Sequence, residues 1–552
     1  MPEASPKKTI LAADKLAPEG LDWIRSQPDA ELLEKPGLSE AEYAAILRGG
    51  GVHAMIVRSA ITVSAGVLAD PGDLAVIARA GVGVDNIDIP AATARGILVV
   101  NTAEASTITT AEHAFTLLAS LLRNIAPAAA SMREGQWDRS KFQGRQLHGM
   151  TLGVVGLGRI GRTVAERALA FGMKVVGHDP FVHADLQIDG HTVRTFRSFA
   201  ELAPHADAVT FHVPKTAETT GMLDEASFAL CRDGVFVVNA SRGGIVDEQA
   251  LVAALGSGKC GGAALDVYTS EPPPADSPLR SAPRLLLTPH LGASTQEAQT
   301  AVSVEAAKAC MAYLRGEGIS GAVNAGGVRV DLSPRQRAFV ELAGKMATLL
   351  SPMITRGIAG VEVALDGDDL APAAGTVERT VLVGLLQRHL ASALNVINVA
   401  DVAEKRGIRV TTRSSGGDPG GGKLTLTVHG PADAVDASTE AADRSRRIVG
   451  RVYADGAPRV VEVNGYAMDM VPAGAMVLIQ NEDKPGIIGA VGTAFGSAGV
   501  NIADMTISRR SREGEHVATA LMLLKLDAAA PAGLLADLEA LPAVRKVAAV
   551  QV

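Results

Sequence analysis

Cysteine, surplus positive charge and long apolar runs are all scarce in this chain of 552 residues. Its three cysteines, Cys231, Cys260 and Cys310, are scattered, follow no metal-ligand spacing and cannot all pair, as suits a reduced compartment. Each reads as a small core filler, and no metal site is expected. Lys plus Arg number 52 against 60 Asp plus Glu, a net charge of -8 with no long basic run, so a nucleic-acid partner has no electrostatic footprint. Nothing has the length of a signal peptide or a membrane span. The most apolar helical stretch, around 114–130, is broken by Arg123, Asn124 and Pro127. The chain reads as soluble, cytoplasmic and free of membrane contact.

What is present points to several domains, since one ordinary core serves about 150 residues. From Lys8 to about Gly318, short β-branched runs such as TILAAD, AMIVRS, TLGVVG, KVVGHD and RLLLTPH alternate with helical patterns, the rhythm of parallel sheets flanked by helices. Thr109-Thr110-Ala111-Glu112 reads as a capping box opening a long helix that joins two lobes. After Gly318 the texture changes to an amphipathic helix, SPRQRAFVELAGKMATLLSPM, strands at VEVALDG and KLTLTVHG, and a glycine-rich loop at 414–423. Arg444, Arg446 and Arg447 there read as an anion holder or as a solvated helix face. From Ala475 the order is βαββαβ, a compact sandwich of about 75 residues. The division expected is a substrate lobe at 1–101 and 291–318, a cofactor lobe at 102–290, an intervening α+β domain at 319–470 and a C-terminal domain at 475–552.

An apolar strand, TLGVV, runs into Gly156-x-Gly158-x-x-Gly161, a helix follows, and Asp179 closes the next strand 18 positions after Gly161. Strand, glycines, helix and acid in this order predict a Rossmann-type dinucleotide site. Gly156 and Gly158 let the backbone approach a pyrophosphate, and the helix start at Arg159 and Ile160 turns free amides toward it. Asp179 can accept from both ribose hydroxyls and would repel a 2′-phosphate, so NAD is preferred over NADP.

Three residues stand at predicted strand ends of that lobe: Arg242 in NASRGGIVDE, Glu271 in ALDVYTSEPP and His290 in LLTPHLGAST. A guanidinium can fork a carboxylate, an imidazole can exchange a proton near neutral pH, and a carboxylate beside it fixes its tautomer. Taken singly, each has a structural alternative as an ion pair, a turn residue or a cap. Together they suit oxidation of a 2-hydroxy acid.

These residues, with ARAGVGVDNIDIPAATARGI (78–97) and TPHLGASTQEAQ, resemble the D-isomer-specific 2-hydroxyacid dehydrogenases, and practically the whole chain is similar to their long members with an intervening and an ACT-like domain. The resemblance implies a two-lobed fold acting with NAD on 3-phospho-D-glycerate, at the entry to L-serine synthesis, in a homodimer or homotetramer. It implies that His290 takes the hydroxyl proton, Glu271 braces it, Arg242 grips the carboxylate, and Asp266 reaches the nicotinamide amide. Arg58, Ser59 and backbone amides of Gly81, Val82 and Gly83 would bind the anionic groups. The family has an asparagine where this chain has Ser106, which is shorter and offers one hydroxyl to the substrate. His113 reads as a core or interface residue, and Trp137 as a partner contact or an ordinary anchor. Asn481, Asp483 and Asn501 match positions that bind L-serine in regulatory relatives; turn and strand capping is the alternative. Two other readings stand beside this one: a glyoxylate or hydroxypyruvate reductase, which the extra 230 or so residues disfavour, and a non-enzymatic NAD-sensing corepressor.

Overall fold

In a computed structural model, the structure describes residues 7–329, 331–354, 357–390, 393–416, 422–431, 445–453, 456–510 and 518–552. Strands β1 (Lys8–Ala12), β2 (Ala30–Glu34), β3 (Val52–Val57), β4 (Val76–Arg79) and β5 (Leu98–Asn101) form one parallel sheet in the order β2-β1-β3-β4-β5. Their apolar residues face cores on both sides, as a sheet covered twice requires. Helix Gln296–Leu314 returns to this sheet and packs Val302, Ala306 and Cys310 into its core. Residues 321–324 then add to the β5 edge through an antiparallel bridge between Val100 and Ala322, so contacts to this lobe run past Gly318.

The second sheet comprises β6 (Thr151–Val155), β7 (Lys174–His178), β8 (Leu186–Ile188), β9 (His191–Phe196), β10 (Ala208–Phe211), β11 (Val235–Asn239), β12 (Cys260–Leu265) and β13 (Leu285–Leu287). Its order is β13-β12-β11-β10-β6-β7-β9-β8, parallel except for β8 against β9. Strand β6 lies between β10 and β7, the reversal point beside which open α/β sheets bind ligands. The helix Thr107–Leu122 crosses from the first lobe and packs on β11, β12 and helix Arg159–Ala170. No capping box forms at 109–112. The helix starts three residues earlier, with Ser106 and not Thr109 at its N-cap, and Glu112 instead meets Arg167 at 3.1 Å.

The third sheet contains β14 (Gly360–Asp366), β15 (Arg409–Ser415), β16 (Lys423–His429), β17 (Ser445–Val452), β18 (Pro458–Val463) and β19 (Tyr466–Met470). Helix Pro334–Leu350, opened by a capping box between Ser333 and Gln336, buries Phe339, Leu342 and Met346 on it. Arg446 and Arg447 lie on strand β17, not on a helix, and Arg447 pairs with Glu462 on β18 at 2.6 Å; Arg444 and residues 417–421 of the glycine-rich stretch fall outside the described residues.

The last sheet, β20 (Ala475–Glu482), β21 (Ile502–Arg510), β22 (Thr519–Leu526) and β23 (Val544–Gln551), has the order β21-β22-β20-β23 with two helices on one face, the βαββαβ arrangement expected. Strand periodicity divides its side chains. Val477, Ile479, Met522 and Leu524 pack under the helices, while Met476, Leu478, Leu521 and Leu523 join the core of the preceding domain. The two C-terminal sheets therefore share one apolar core.

Candidate active site

The cofactor lobe presents its glycines as the motif demands. Gly156 has φ +92°, and a β-carbon there would lie 2.4 Å from the His212 carbonyl oxygen. At Gly161 a β-carbon would come within 1.9 Å of the Gly156 oxygen, so this glycine lets the helix seat on the strand. A β-carbon on Gly158 would meet no atom of the described residues within 4 Å, so this glycine faces open space at the start of helix Arg159–Ala170, with Ile160 half-buried behind it. Asp179 accepts from the amides of Leu157 and Phe181, both at 2.9 Å, which fixes its carboxylate beside the glycine turn. An open glycine cradle, a helix start and a fixed carboxylate fit NAD. Arg159 pairs with Glu104, from the segment entering the crossing helix, at 2.8 Å.

Adjacent strands β11, β12 and β13 deliver Arg242, Glu271 and His290 just beyond their C-terminal ends. Buried Asn239 shapes the first turn, donating to the Arg242 carbonyl at 2.9 Å and accepting from the Ser241 hydroxyl at 2.8 Å. Glu271 accepts the Tyr268 amide on Oε1 at 3.0 Å and the His290 ring on Oε2 at 2.6 Å. With Nδ1 donating to Glu271, Nε2 of His290 is left to accept a proton. His290 itself holds φ +54°, an uncommon left-handed backbone for a residue with a side chain.

The first lobe brings two more arginines. Arg58 follows β3, its amide held by Asp14 at 3.1 Å, and Ser59 beside it is exposed. Arg79 ends β4 and curls over Gly81, where a β-carbon would lie 1.4 Å from the guanidinium. Arg242 reaches across from the cofactor lobe so closely that a β-carbon on Gly83 would lie 2.1 Å from its Nη2; it also donates to Asp85 at 3.0 Å. Burial, then repulsion from Arg242 and Arg58, pushes Arg79 down to about 10, and its buried Nε has no partner among the described residues. Two guanidiniums, of Arg79 and Arg242, thus meet on one glycine turn, with Arg58 close enough to repel Arg79 while its Nη1 donates to the Lys15 carbonyl at 3.1 Å. The sequence reading missed Arg79, although it lies two positions before Gly81 inside a quoted motif.

Three further expected residues have these surroundings. The Gly81 amide is not free for a substrate: it donates to the Thr102 hydroxyl at 2.8 Å, while the amides of Val82 and Gly83 have no acceptor among the described residues. Ser106 is fully buried, and its hydroxyl has no partner among the described residues. Asp266 is also fully buried, and both its oxygens are engaged. Oδ1 accepts from the Thr288 hydroxyl at 2.6 Å, the Leu291 amide at 2.8 Å and His113 Nε2 at 3.1 Å, and Oδ2 from the Gly292 amide at 2.8 Å. It anchors the loop that carries His290, and Oδ2, with one bond, has room to accept the nicotinamide amide that the resemblance assigns to it. Burial alone would raise its carboxyl; hydrogen bonds from His113, Thr288 and Leu291 outweigh that and hold it below the ordinary value.

In the last domain each expected effector residue has its own neighbour. Buried Asn481 donates to the Glu482 carbonyl, its Oδ1 unpartnered among the described residues; Asp483 faces Arg509 at 3.4 Å, and Asn501 donates to Asp527 at 2.6 Å. The cysteines are buried, with thiols raised by burial to about 11 for Cys231 and Cys260 and about 12 for Cys310, as inert fillers should be. No helix among the described residues is long and apolar enough to cross a membrane.

Three family models match the chain: the NAD binding domain of D-isomer specific 2-hydroxyacid dehydrogenases at residues 115–292, the D-3-phosphoglycerate dehydrogenase intervening domain at 335–464, and the ACT domain at 475–543. The chain is 35% identical over 541 residues to the D-3-phosphoglycerate dehydrogenase of Methanocaldococcus jannaschii, covering 98% of this chain and 99% of that one. Against the enzyme of that name from Bacillus subtilis it is 36% identical, with 94% of each chain covered. Among solved structures, a glyoxylate reductase from Paecilomyes thermophila superposes with a TM-score of 0.53 at 29% identity, over 58% of this chain and 98% of that one.

Proposed function

The chain belongs to the D-3-phosphoglycerate dehydrogenases, and we propose that His290, Glu271 and Arg242 carry its chemistry while Arg58 and Arg79 hold the phosphate. The reaction is the NAD-dependent oxidation of 3-phospho-D-glycerate to 3-phosphohydroxypyruvate, the first step of L-serine biosynthesis. The observation that carries the residue assignment is the meeting of Arg79 and Arg242 on the 81–83 turn, with Arg58 near enough to depress Arg79. A simple 2-hydroxy acid offers one carboxylate and needs one such fork; a phosphorylated one brings a second, dianionic group that accounts for the other two. The free amides of Val82 and Gly83 add donors to the same nest.

Bound NAD supplies a nicotinamide ring that accepts hydride from C2 of the substrate. His290 Nε2 removes the C2 hydroxyl proton as the carbonyl forms, and Glu271 at 2.6 Å stabilises the resulting imidazolium. General base catalysis of this kind contributes about 10²–10⁴-fold. Arg242 holds the carboxylate beside the reacting carbon. Gly156, Gly158, Gly161 and the amides of Arg159 and Ile160 receive the pyrophosphate, and Asp179 the ribose.

The assignment is tested by comparing kcat/KM for 3-phosphoglycerate and D-glycerate, following NADH. The phosphorylated substrate should lead by at least about 100-fold, since two guanidinium contacts contribute roughly 1.5–3 kcal/mol each; equal values would refute it. Residues 7–101 with 291–324 act as the substrate lobe, and 102–290 as the cofactor lobe. L-serine is the effector we assign to Asn481, Asp483 and Asn501, and activity unchanged at millimolar serine would remove that role. A homodimer or homotetramer in the cytoplasm completes the reading. Its support is the exposure of Ile125, Met132 and Trp137, the last 77% exposed in the single chain.

A further inference from the structure

His290 stands in a left-handed backbone conformation, and something must hold it there. The holder is Asp266. Its carboxylate takes the hydroxyl of Thr288, two residues before His290, and the amides of Leu291 and Gly292, the two residues after it. From the other side Tyr268 donates its hydroxyl to the Thr288 carbonyl at 2.7 Å. Asp266 is a fully buried anion, and of the partners named above only His113 can carry positive charge. His113 sits 19% exposed on the crossing helix, 3.1 Å from Asp266 and 3.4 Å from the Thr288 hydroxyl. The same helix touches the loop twice more, through the Thr109 hydroxyl on that of Thr295 at 3.2 Å and through Thr110 beside Gly292.

We propose that His113 is a positioning residue for His290: it donates from Nε2 to Asp266, and Asp266 clamps residues 288–292 so that the catalytic imidazole meets Glu271 and the substrate. The crossing helix begins six residues after β5 ends, so this bond links the backbone leaving the substrate lobe to the base in the cofactor lobe. The proposal rests on the assignment of His290 as the base.

The test compares H113L and H113Q with the wild type and with H290Q, measuring kcat, KM for 3-phosphoglycerate, NADH affinity by fluorescence and thermal midpoint. A misplaced catalytic group costs up to about 100-fold in rate. H113L should lose about 10- to 100-fold in kcat, with KM and NADH affinity within about twofold of wild type. H113Q, whose side-chain amide can donate from nearly the same place, should recover most of that loss. Undiminished kcat in H113L, a loss that H113Q does not relieve, or a fall in kcat that merely tracks NADH affinity and melting temperature would overturn the proposal. Should H113L not fold, H113N replaces it, since its amide stops short of Asp266. Full activity in H290Q would instead sink the base assignment itself, which separates the two failures.

Discussion

Replacing Arg79 with methionine should move stability and activity in opposite directions. The guanidinium is pushed down to about 10 by burial and by Arg242 and Arg58. At about 1.36 kcal/mol per pH unit, holding it charged costs the unliganded protein roughly 3 kcal/mol. A cation whose folded value is depressed destabilises at every pH below that value, and the cost is relieved only as pH rises through about 10. Arg79→Met should therefore raise the thermal midpoint of the unliganded enzyme throughout pH 6–9, because methionine keeps most of the buried stem and drops the charge. The same change removes a charge-assisted contact worth about 1.5–3 kcal/mol, or about 10- to 150-fold in kcat/KM for 3-phosphoglycerate. That loss should appear in KM and should be nearly absent with D-glycerate. The assays are scanning fluorimetry with and without inorganic phosphate, and NADH production with the two substrates. Inorganic phosphate should stabilise the wild type and not the variant. Equal losses on both substrates, or a lowered midpoint without ligand, would refute the reasoning.

Glu271→Gln keeps a hydrogen-bond acceptor for His290 but removes the charge that stabilises its imidazolium, and should lower kcat about 10²-fold with a smaller change in KM; parallel changes in both would mean that Glu271 only shapes the loop. Asp266→Asn should destabilise the 288–292 loop by leaving one of its three donors to Oδ1 or Oδ2 facing an amide, visible as faster hydrogen exchange there. Because the Asp266 carboxyl is held below its ordinary value, its stabilisation is complete above about pH 4 and is lost only as pH falls through the depressed value. A wild-type stability profile that declines between pH 8 and pH 5 would need another group. Gly161→Ala places a β-carbon 1.9 Å from a backbone oxygen and should cost about 1–3 kcal/mol together with NAD affinity, read by calorimetry.

Local patterns survived the passage from sequence to structure, and long-range ones did not. The glycine turn, its strand, its helix and Asp179 were readable because a dinucleotide cradle is built within 30 or so consecutive residues. The ends of β11, β12 and β13 were readable because strand ends in a parallel sheet share one edge. The loop-holding bonds of Asp266 were not legible because its partners lie at 113 and at 288–292, and no short window contains them. Arg79 was overlooked for a similar reason: only the approach of Arg58 and Arg242 gives it meaning. At 109–112 a genuine capping pattern misled, since the helix begins at Thr107 and Glu112 is taken by Arg167. Arg446 and Arg447 lie in the polar opening, Ser445-Arg446-Arg447, of a strand whose buried run begins only at Ile448.

The catalytic centre reduces to one proton accepted by His290 against Glu271. Steady-state turnover of His290→Gln with NAD and 3-phosphoglycerate tests this most directly. The account predicts a fall in kcat of about 10²–10⁴-fold with KM changed only a few-fold; wild-type turnover in that variant would contradict it.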